Sequence, residues 1–254
     1  MSDSVKDTFV SHLVELRNRL VFSLLAFGAV LLPLVTPPWF LAGKLYDILA
    51  LPMMDALPQG SKMIATGVIA PFFIPLKIAM LAAFLVALPF ILYQVWMFVA
   101  PGLYKHEKRF VLPLIVSSTL LFFVGMAFCY FFVFKMVFTF IAQMAPSSIQ
   151  VSPDIENYFN FILGMFFAFG MAFETPVVVV VLVATGLVTI ETLREVRRYV
   201  IVGAFVVAAV VTPPDVMSQL ALAVPLCILY EIGILWARFF VKPKPRDEAE
   251  SPAA

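Results

Sequence analysis

Two short runs hold residues whose types and spacing could do chemistry. Ser11 to Leu20 reads Ser-His-Leu-Val-Glu-Leu-Arg-Asn-Arg-Leu, and Tyr104 to Arg109 reads Tyr-Lys-His-Glu-Lys-Arg. Each places one carboxylate, Glu15 or Glu107, among basic residues that include Arg17, Lys105 and Arg109. Paired carboxylates suit a ligand with two guanidinium groups, because each arginine fork can grip a carboxylate through two parallel hydrogen bonds. Simpler readings stay open for both. Glu15 stands four residues before Arg19, a helical ion pair worth about 0.3 to 0.5 kcal/mol, and Glu107 can neutralise one charge of a basic loop.

A third carboxylate, Glu174, falls inside a long apolar run and is followed by Thr175 and Pro176. A charge at that depth is costly unless it faces water, a cavity or a partner, so both a transport role and a hydrogen-bonded structural role are open. Thr212, Ser218 and Gln219 cluster around Asp215. Such polar groups can hydrogen-bond a partner's membrane helix or pair two helices of the same chain, and Asp215 can cap the helix that follows it. Lys77 reads as a snorkelling side chain and Glu231 as an interfacial charge. An intramembrane enzyme finds no support: the spans hold no serine–histidine pair, no zinc-spaced motif and no paired aspartates, and there is no glycine-rich phosphate loop. His12 and His106 are isolated, and Cys129 and Cys227 lie in separate apolar runs as free thiols. No catalytic residue, metal or cofactor is expected.

The elements that must position these groups are membrane helices. Of 254 residues, 63% are hydrophobic and only 13% charged, with a mean hydropathy of +1.02. Water-soluble domains run nearer 45 to 50% apolar and about 25% charged, so a soluble enzyme is excluded. A net charge of +1 gives no basic field for nucleic acid. Charged residues are missing from Leu20 to Gly43, Ile78 to Tyr104, Phe110 to Phe134, Asn157 to Phe173, Tyr199 to Pro214 and Val216 to Tyr230. Since about 20 apolar residues cross the hydrocarbon core, the expectation is an all-α membrane protein with six transmembrane helices. The first covers about Leu20 to Val35, and the next three about Phe72 to Ala100, Leu112 to Phe134 and Tyr158 to Val183. Helices five and six are expected to be short, because Val200 to Val211 reaches only as far as Thr212, Pro213 and Pro214.

Thirteen lysines and arginines fall on one side of these spans, against Lys44, Lys62 and Lys135 on the other. The positive-inside rule then puts both termini in the cytoplasm. Asp3 and Asp7 precede the first apolar run with no cleavage site after it, so that span reads as a retained anchor. Phe9, Leu13, Leu16 and Leu20 stripe a cytoplasmic amphipathic helix, with Thr8 as its cap. Leu41, Leu45, Ile48 and Leu49 mark a second, outer-surface helix ended by Pro52 and Pro58. Prolines within the spans (Pro33, Pro75, Pro89, Pro113, Pro176, Pro225) suggest kinked helices forming a concave scaffold. One integral domain, 1–254, follows: the amphipathic helix 1–19, a six-helix bundle 20–238 and a flexible cytoplasmic tail 239–254.

Four segments carry a specific resemblance: Ser11 to Leu20, Tyr93 to Arg109, Phe-Glu-Thr-Pro at Phe173 to Pro176, and Thr-Pro-Pro-Asp at Thr212 to Asp215. Together, in order, they resemble the signature segments of the TatC family, the multi-spanning core of the twin-arginine protein translocase. The resemblance runs from about Ser11 to Arg238. It implies Sec-independent translocation of folded proteins across the bacterial cytoplasmic (inner) membrane, with a multi-pass receptor binding twin-arginine signal peptides at its cytoplasmic face. On the matching positions, Glu15 and Glu107 form the recognition site, with Phe98, Arg17, Lys105 and Arg109 shaping it. Further implications are TatA and TatB as single-span partners docking near Thr212, Asp215 and Gln219, a multimeric complex in the lipid bilayer, proton-motive force as the energy source, and an intramembrane glutamate at Glu174. The alternative, a secondary transporter or channel for a small solute lined by Glu174 and Lys77, lacks the inverted repeats and paired broken helices of such proteins.

Overall fold

The computed structural model describes residues 2–36, 40–57, 62–99, 111–144, 152–212 and 215–240. Among these residues every regular element is helical. In chain order they are α1 (Ser2–Val35), α2 (Phe40–Ala56), α3 (Ala70–Val99), α4 (Val111–Phe128), α5 (Phe134–Met144), α6 (Ile155–Phe173), α7 (Thr175–Ala184), α8 (Ile190–Glu195), α9 (Arg197–Val211) and α10 (Val216–Phe240). A π-helical turn, Cys129–Val133, joins α4 to α5 without breaking the rod. Five stretches are long and apolar enough to cross a bilayer: Val10–Val35, Ala70–Val99, Leu112–Met144, Ile155–Ala184 and Val216–Phe239. The chain is therefore a membrane protein whose described elements are all helical.

Several boundaries differ from the sequence expectation, each for a physical reason. The amphipathic segment and the first span are one continuous helix, so Thr8 lies inside α1 instead of capping it. No residue of Val10–Val35 is buried, and Leu13, Leu16 and Leu20 of the predicted stripe stay exposed on this peripheral helix. Pro52 does not end α2, which runs on to Ala56. Proline has no N–H for the carbonyl four residues back, and that carbonyl, Ile48, instead accepts from the Tyr130 hydroxyl at 2.7 Å. Its neighbour Leu49 accepts from the Tyr158 hydroxyl, also at 2.7 Å. These bonds, with Leu49 and Ala50 buried, fasten α2 onto the bundle.

The last helix is not short. α9 has 15 residues, about 22 Å at 1.5 Å per residue and less than a bilayer core of about 30 Å. α10 has 25 residues and is long enough. Glu231 closed the charge-free run in the sequence, yet its carboxylate pairs with Arg197 of α9 at 2.6 Å, and the helix continues through Arg238.

The core is aromatic, with Phe122, Phe134, Phe159 and Phe169 fully buried. α4 and α6 approach closely through two copies of Phe-Xaa-Xaa-Gly-Met-Ala-Phe, at Phe122 to Phe128 and Phe167 to Phe173. A Cβ on Gly125 would lie 2.5 Å from the Phe169 carbonyl oxygen, and one on Gly170 would collide with the Phe122 ring. The two like segments thus serve one crossing from both sides. α1 packs chiefly on α3, α7 on α10, and α9 on α10.

Candidate functional site

Glu15 and Arg19 stand one turn apart on α1, facing the last turns of α3. Arg19 donates to Glu15 Oε1 through Nη2 at 2.5 Å and through Nε at 3.0 Å. Its remaining nitrogen, Nη1, reaches Gln94 Oε1 of α3 at 3.4 Å. Gln94 is buried, and the Glu15 side chain keeps 40% of its exposure against 18% for Arg19. The i,i+4 pair expected from the sequence is therefore formed, while the second carboxylate oxygen of Glu15 is free of protein hydrogen bonds among the described residues. An open groove of about 450 Å³ runs between the two helices, lined by Ser11, Val14, Glu15, Asn18, Phe22 and Tyr93 among others. At its end Phe98 of α3 stacks on His12 of α1, ring centroids 4.4 Å apart and 20° from parallel.

The structure thus brings Glu15 and Phe98 to one seam. Arg17 does not line the groove; it donates to Asn18 Oδ1 at 3.1 Å. Glu107, Lys105 and Arg109 lie outside the described residues. Sequence reasoning missed Gln94: a lone amide within an apolar run, it had a signal only in sitting at the helix end nearest the basic loop. His12, read as isolated, is in fact a stacking partner.

Glu174 occupies the joint between α6 and α7, and 95% of its surface is buried. The break has a local cause: Pro176 removes the N–H due to the Ala172 carbonyl, and the Thr175 hydroxyl supplies a donor to that carbonyl at 2.7 Å. The Ser118 hydroxyl of α4 donates to Glu174 Oε2. Trp96 Nε1 of α3 in turn donates to Ser118 Oγ at 3.0 Å. One serine hydroxyl can accept from an indole and donate to a carboxylate at once, so this buried chain ties three helices together. Glu174 Oε1 has no partner among the described residues. A structural duty is visible for one oxygen, and the other is left available. Neither Ser118 nor Trp96 could be assigned to Glu174 from sequence, since 56 and 78 positions separate them.

Thr212, Asp215 and Gln219 flank the turn between α9 and α10 and are each engaged locally. Asp215 Oδ1 accepts from the Ser218 backbone N–H at 2.7 Å, capping α10. The Thr212 hydroxyl donates to the Ala208 carbonyl at 2.8 Å, and Gln219 Nε2 donates to the Phe205 carbonyl of α9 at 3.4 Å. Asp215 Oδ2 and Ser218 Oγ are buried without a partner among the described residues. At the opposite end of the molecule from Glu15, Lys77 donates to Asn160 at 2.7 Å and lies 3.7 Å from Glu156. Nearby, Asp154 caps α6 and accepts from the Thr66 hydroxyl at 2.8 Å. That bond, followed by those from the Asn157 and Thr66 backbone N–H groups, holds the Asp154 carboxyl below the usual carboxylate range.

Comparison with known proteins identifies the family. The family described as Sec-independent protein translocase protein (TatC) matches residues 11–225. The TatC of Escherichia coli (strain K12) is 49% identical over 248 residues, covering 96% of this chain and 95% of that protein. That of Aquifex aeolicus is 38% identical over 237 residues, covering 92% and 95%. A crystal structure of the twin-arginine translocase receptor TatC superposes with a TM-score of 0.77 at 38% identity, covering 90% of this chain and 98% of that one. The chain belongs to the TatC family of Sec-independent protein translocase proteins, components of a transport machine and not enzymes.

Proposed function

We propose that this protein is the receptor that binds twin-arginine signal peptides of folded cargo and nucleates the translocase with TatA and TatB. The observation that carries the reading is the Glu15 carboxylate, half-open on a groove between α1 and α3 and already shown by Arg19 to accept a guanidinium. Glu107 supplies the second carboxylate from the loop after α3, with Lys105, Arg109 and Arg17 setting the surrounding field and Phe98 walling the seam. The thirteen-to-three sorting of basic residues supports a cytoplasmic face for this groove and for both termini, in the bacterial inner membrane. Counting α9 as a sixth, short crossing gives a bundle over 20–238 in which the bilayer thins locally, since 15 residues cannot span its full core.

The α9–α10 turn is the docking place for a partner's single helix: Thr212, Asp215 and Gln219 flank it, and two buried polar atoms there lack partners among the described residues. Glu174, with one oxygen unused, serves the step driven by proton-motive force. Nothing in the fold favours a small-solute carrier.

The test is peptide binding to the purified protein in membranes. A signal peptide with two arginines should bind, and its two-lysine version should bind at least tenfold more weakly, about 1.4 kcal/mol, because an ammonium lacks the planar fork. Glu15→Lys and Glu107→Lys should each weaken binding by a similar factor. Equal affinity for both peptides, or indifference to both reversals, would sink the assignment.

A further inference from the structure

The membrane-facing side of α5 carries a feature that neither peptide recognition nor helix docking uses. Lys135, Thr139 and Gln143 recur every four residues, so they form one polar stripe about 12 Å long. All three are exposed, whereas Phe134, Val137 and Phe138 of the same helix are buried. Lys135 has no ion-pair or hydrogen-bond partner among the described residues, in contrast to Lys77, which is held by Asn160 and Glu156. A groove of about 430 Å³ follows the stripe, walled by Phe131, Phe132, Met136 and, from the start of α10, Met217.

Depth identifies what such a groove meets. The Phe138 ring lies 5.4 Å from Tyr158, and the Phe134 ring 5.2 Å from Phe166 and 6.1 Å from Phe161, so the turn bearing Lys135 lies between the levels of Tyr158 and Phe166. Asn160, which holds Lys77 at the end of the bundle opposite the Glu15 groove, falls within that range. Lys135 therefore sits within snorkelling reach of the phospholipid headgroups. Phe131 and Phe132 lie about one turn deeper, and Thr139 and Gln143 one and two turns further out. Met217, from the start of α10, completes the apolar wall. Apolar wall, single cation and hydroxyl-and-amide rim match, in order, an acyl chain, a phosphate and an uncharged polar headgroup. The groove has no acidic side chain to receive the ammonium of a zwitterionic lipid.

We infer that Lys135, with Thr139 and Gln143 above it and the Phe131, Phe132 and Met217 walls below, forms a binding site for one anionic phospholipid in the leaflet opposite the Glu15 groove. The lipid's phosphate pairs with Lys135, its headgroup hydroxyls meet Thr139 and Gln143, and one acyl chain fills the aromatic trough.

Native mass spectrometry of the full chain, purified in detergent and offered phosphatidylglycerol or phosphatidylcholine, tests the site. Phosphatidylglycerol should be retained in preference to phosphatidylcholine, and Lys135→Gln should lower its retention about fivefold, the scale of one basic residue at an anionic surface. Lys135→Arg should keep that retention, and Lys44→Gln, which removes an exposed cation from α2, should leave it unchanged. Equal retention of the two lipids, or no loss in Lys135→Gln, overturns the site. So does competition by soluble glycerol phosphate, which would reveal a phosphate site with no use for the acyl trough. A photo-crosslinker at Met136 that captures protein in native membranes in place of phosphatidylglycerol would likewise assign the groove to another occupant and refute the inference.

Discussion

Replacing Arg19 should tighten the binding of twin-arginine peptides, and should do so without changing their preference over lysine versions. In the ligand-free protein Arg19 closes Glu15 with two nitrogens and fastens to Gln94 with the third. A partly exposed i,i+4 pair contributes about 0.3 to 0.5 kcal/mol, and the long bond to Gln94 at most about 1 more. At about 0.3 to 1.5 kcal/mol in all, the closed arrangement outweighs the open one roughly two- to thirteenfold. A ligand that needs the whole carboxylate binds more weakly by one plus that ratio, about three- to fourteenfold. The factor is common to every ligand that must open the site, so an internal guanidinium lowers affinity without selecting among ligands. Arg19→Gln should therefore lower the Kd for the two-arginine and two-lysine peptides alike. Removing a positive charge also favours any cationic peptide, but that part fades above about 0.3 M salt, where screening shortens its range. Arg19→Lys keeps the charge, loses the fork and should show an intermediate gain. Isothermal titration at low and high salt reads all of these. Weaker binding in both variants would mean that Arg19 orients Glu15 for its ligand, and the closure argument would be wrong.

Three other outcomes follow from the fold. Glu174→Gln keeps an acceptor for the Ser118 hydroxyl, so thermal unfolding in detergent should be nearly unchanged while transport of a folded reporter falls; normal transport in both Glu174→Gln and Glu174→Ala would remove Glu174 from the mechanism. Gly125→Ala forces a methyl against the Phe169 carbonyl and should destabilise by about 1 to 3 kcal/mol, read as a lowered unfolding temperature, whereas Gly28→Ala, with open space around it, should be silent. Because Asp154's carboxyl is held below its ordinary value, its tie to Thr66 contributes stability above the unfolded pKa and loses it as pH falls through the folded one. Protection of the Ile64 and Ile155 amides, which bond across this junction, should fall in acid, and Thr66→Val should shift that loss to higher pH; an unmoved midpoint would contradict the assignment.

Much of this architecture was legible in the sequence because a bilayer makes charge placement almost binary. The spans at Ala70–Val99 and Ile155–Ala184 lie within a few residues of the expected Phe72 to Ala100 and Tyr158 to Val183. What escaped was whatever depends on where a hydrogen bond finds its partner. Pro52 reads as a terminator, yet Tyr130, 82 positions away, supplies the donor that keeps α2 going past it. Pro176 reads as a kink, but the Thr175 hydroxyl that compensates for it can be assigned to the Ala172 carbonyl only once the break between α6 and α7 is seen. Glu231 ended a hydropathy window and not a helix, because its counter-ion Arg197 belongs to another element. At the recognition groove Glu15 was legible as a carboxylate beside arginines, but Gln94 was not, since only the α1–α3 contact gives that amide a role.

The two carboxylates at the centre of the proposed mechanism are tied to the same stretch of α3, through Gln94 and Trp96. Two residues apart on an α-helix is a rotation of about 200°, so Gln94 meets α1 while Trp96 meets α4. Arg19 and Glu15 belong to one face, Ser118 and Glu174 to the other, and no side chain is shared between the chains of hydrogen bonds. Adjacency along the chain therefore does not make them one network; energetic coupling needs a common group or a common displacement. If α3 stays rigid between them, peptide affinity in Gln94→Ala, Ser118→Ala and the double variant should be additive within about 0.5 kcal/mol, with Ser118→Ala alone leaving affinity unchanged. A larger interaction would show that opening the Arg19 closure moves α3 itself, and would make this helix the physical link from signal recognition to the carboxylate inside the membrane.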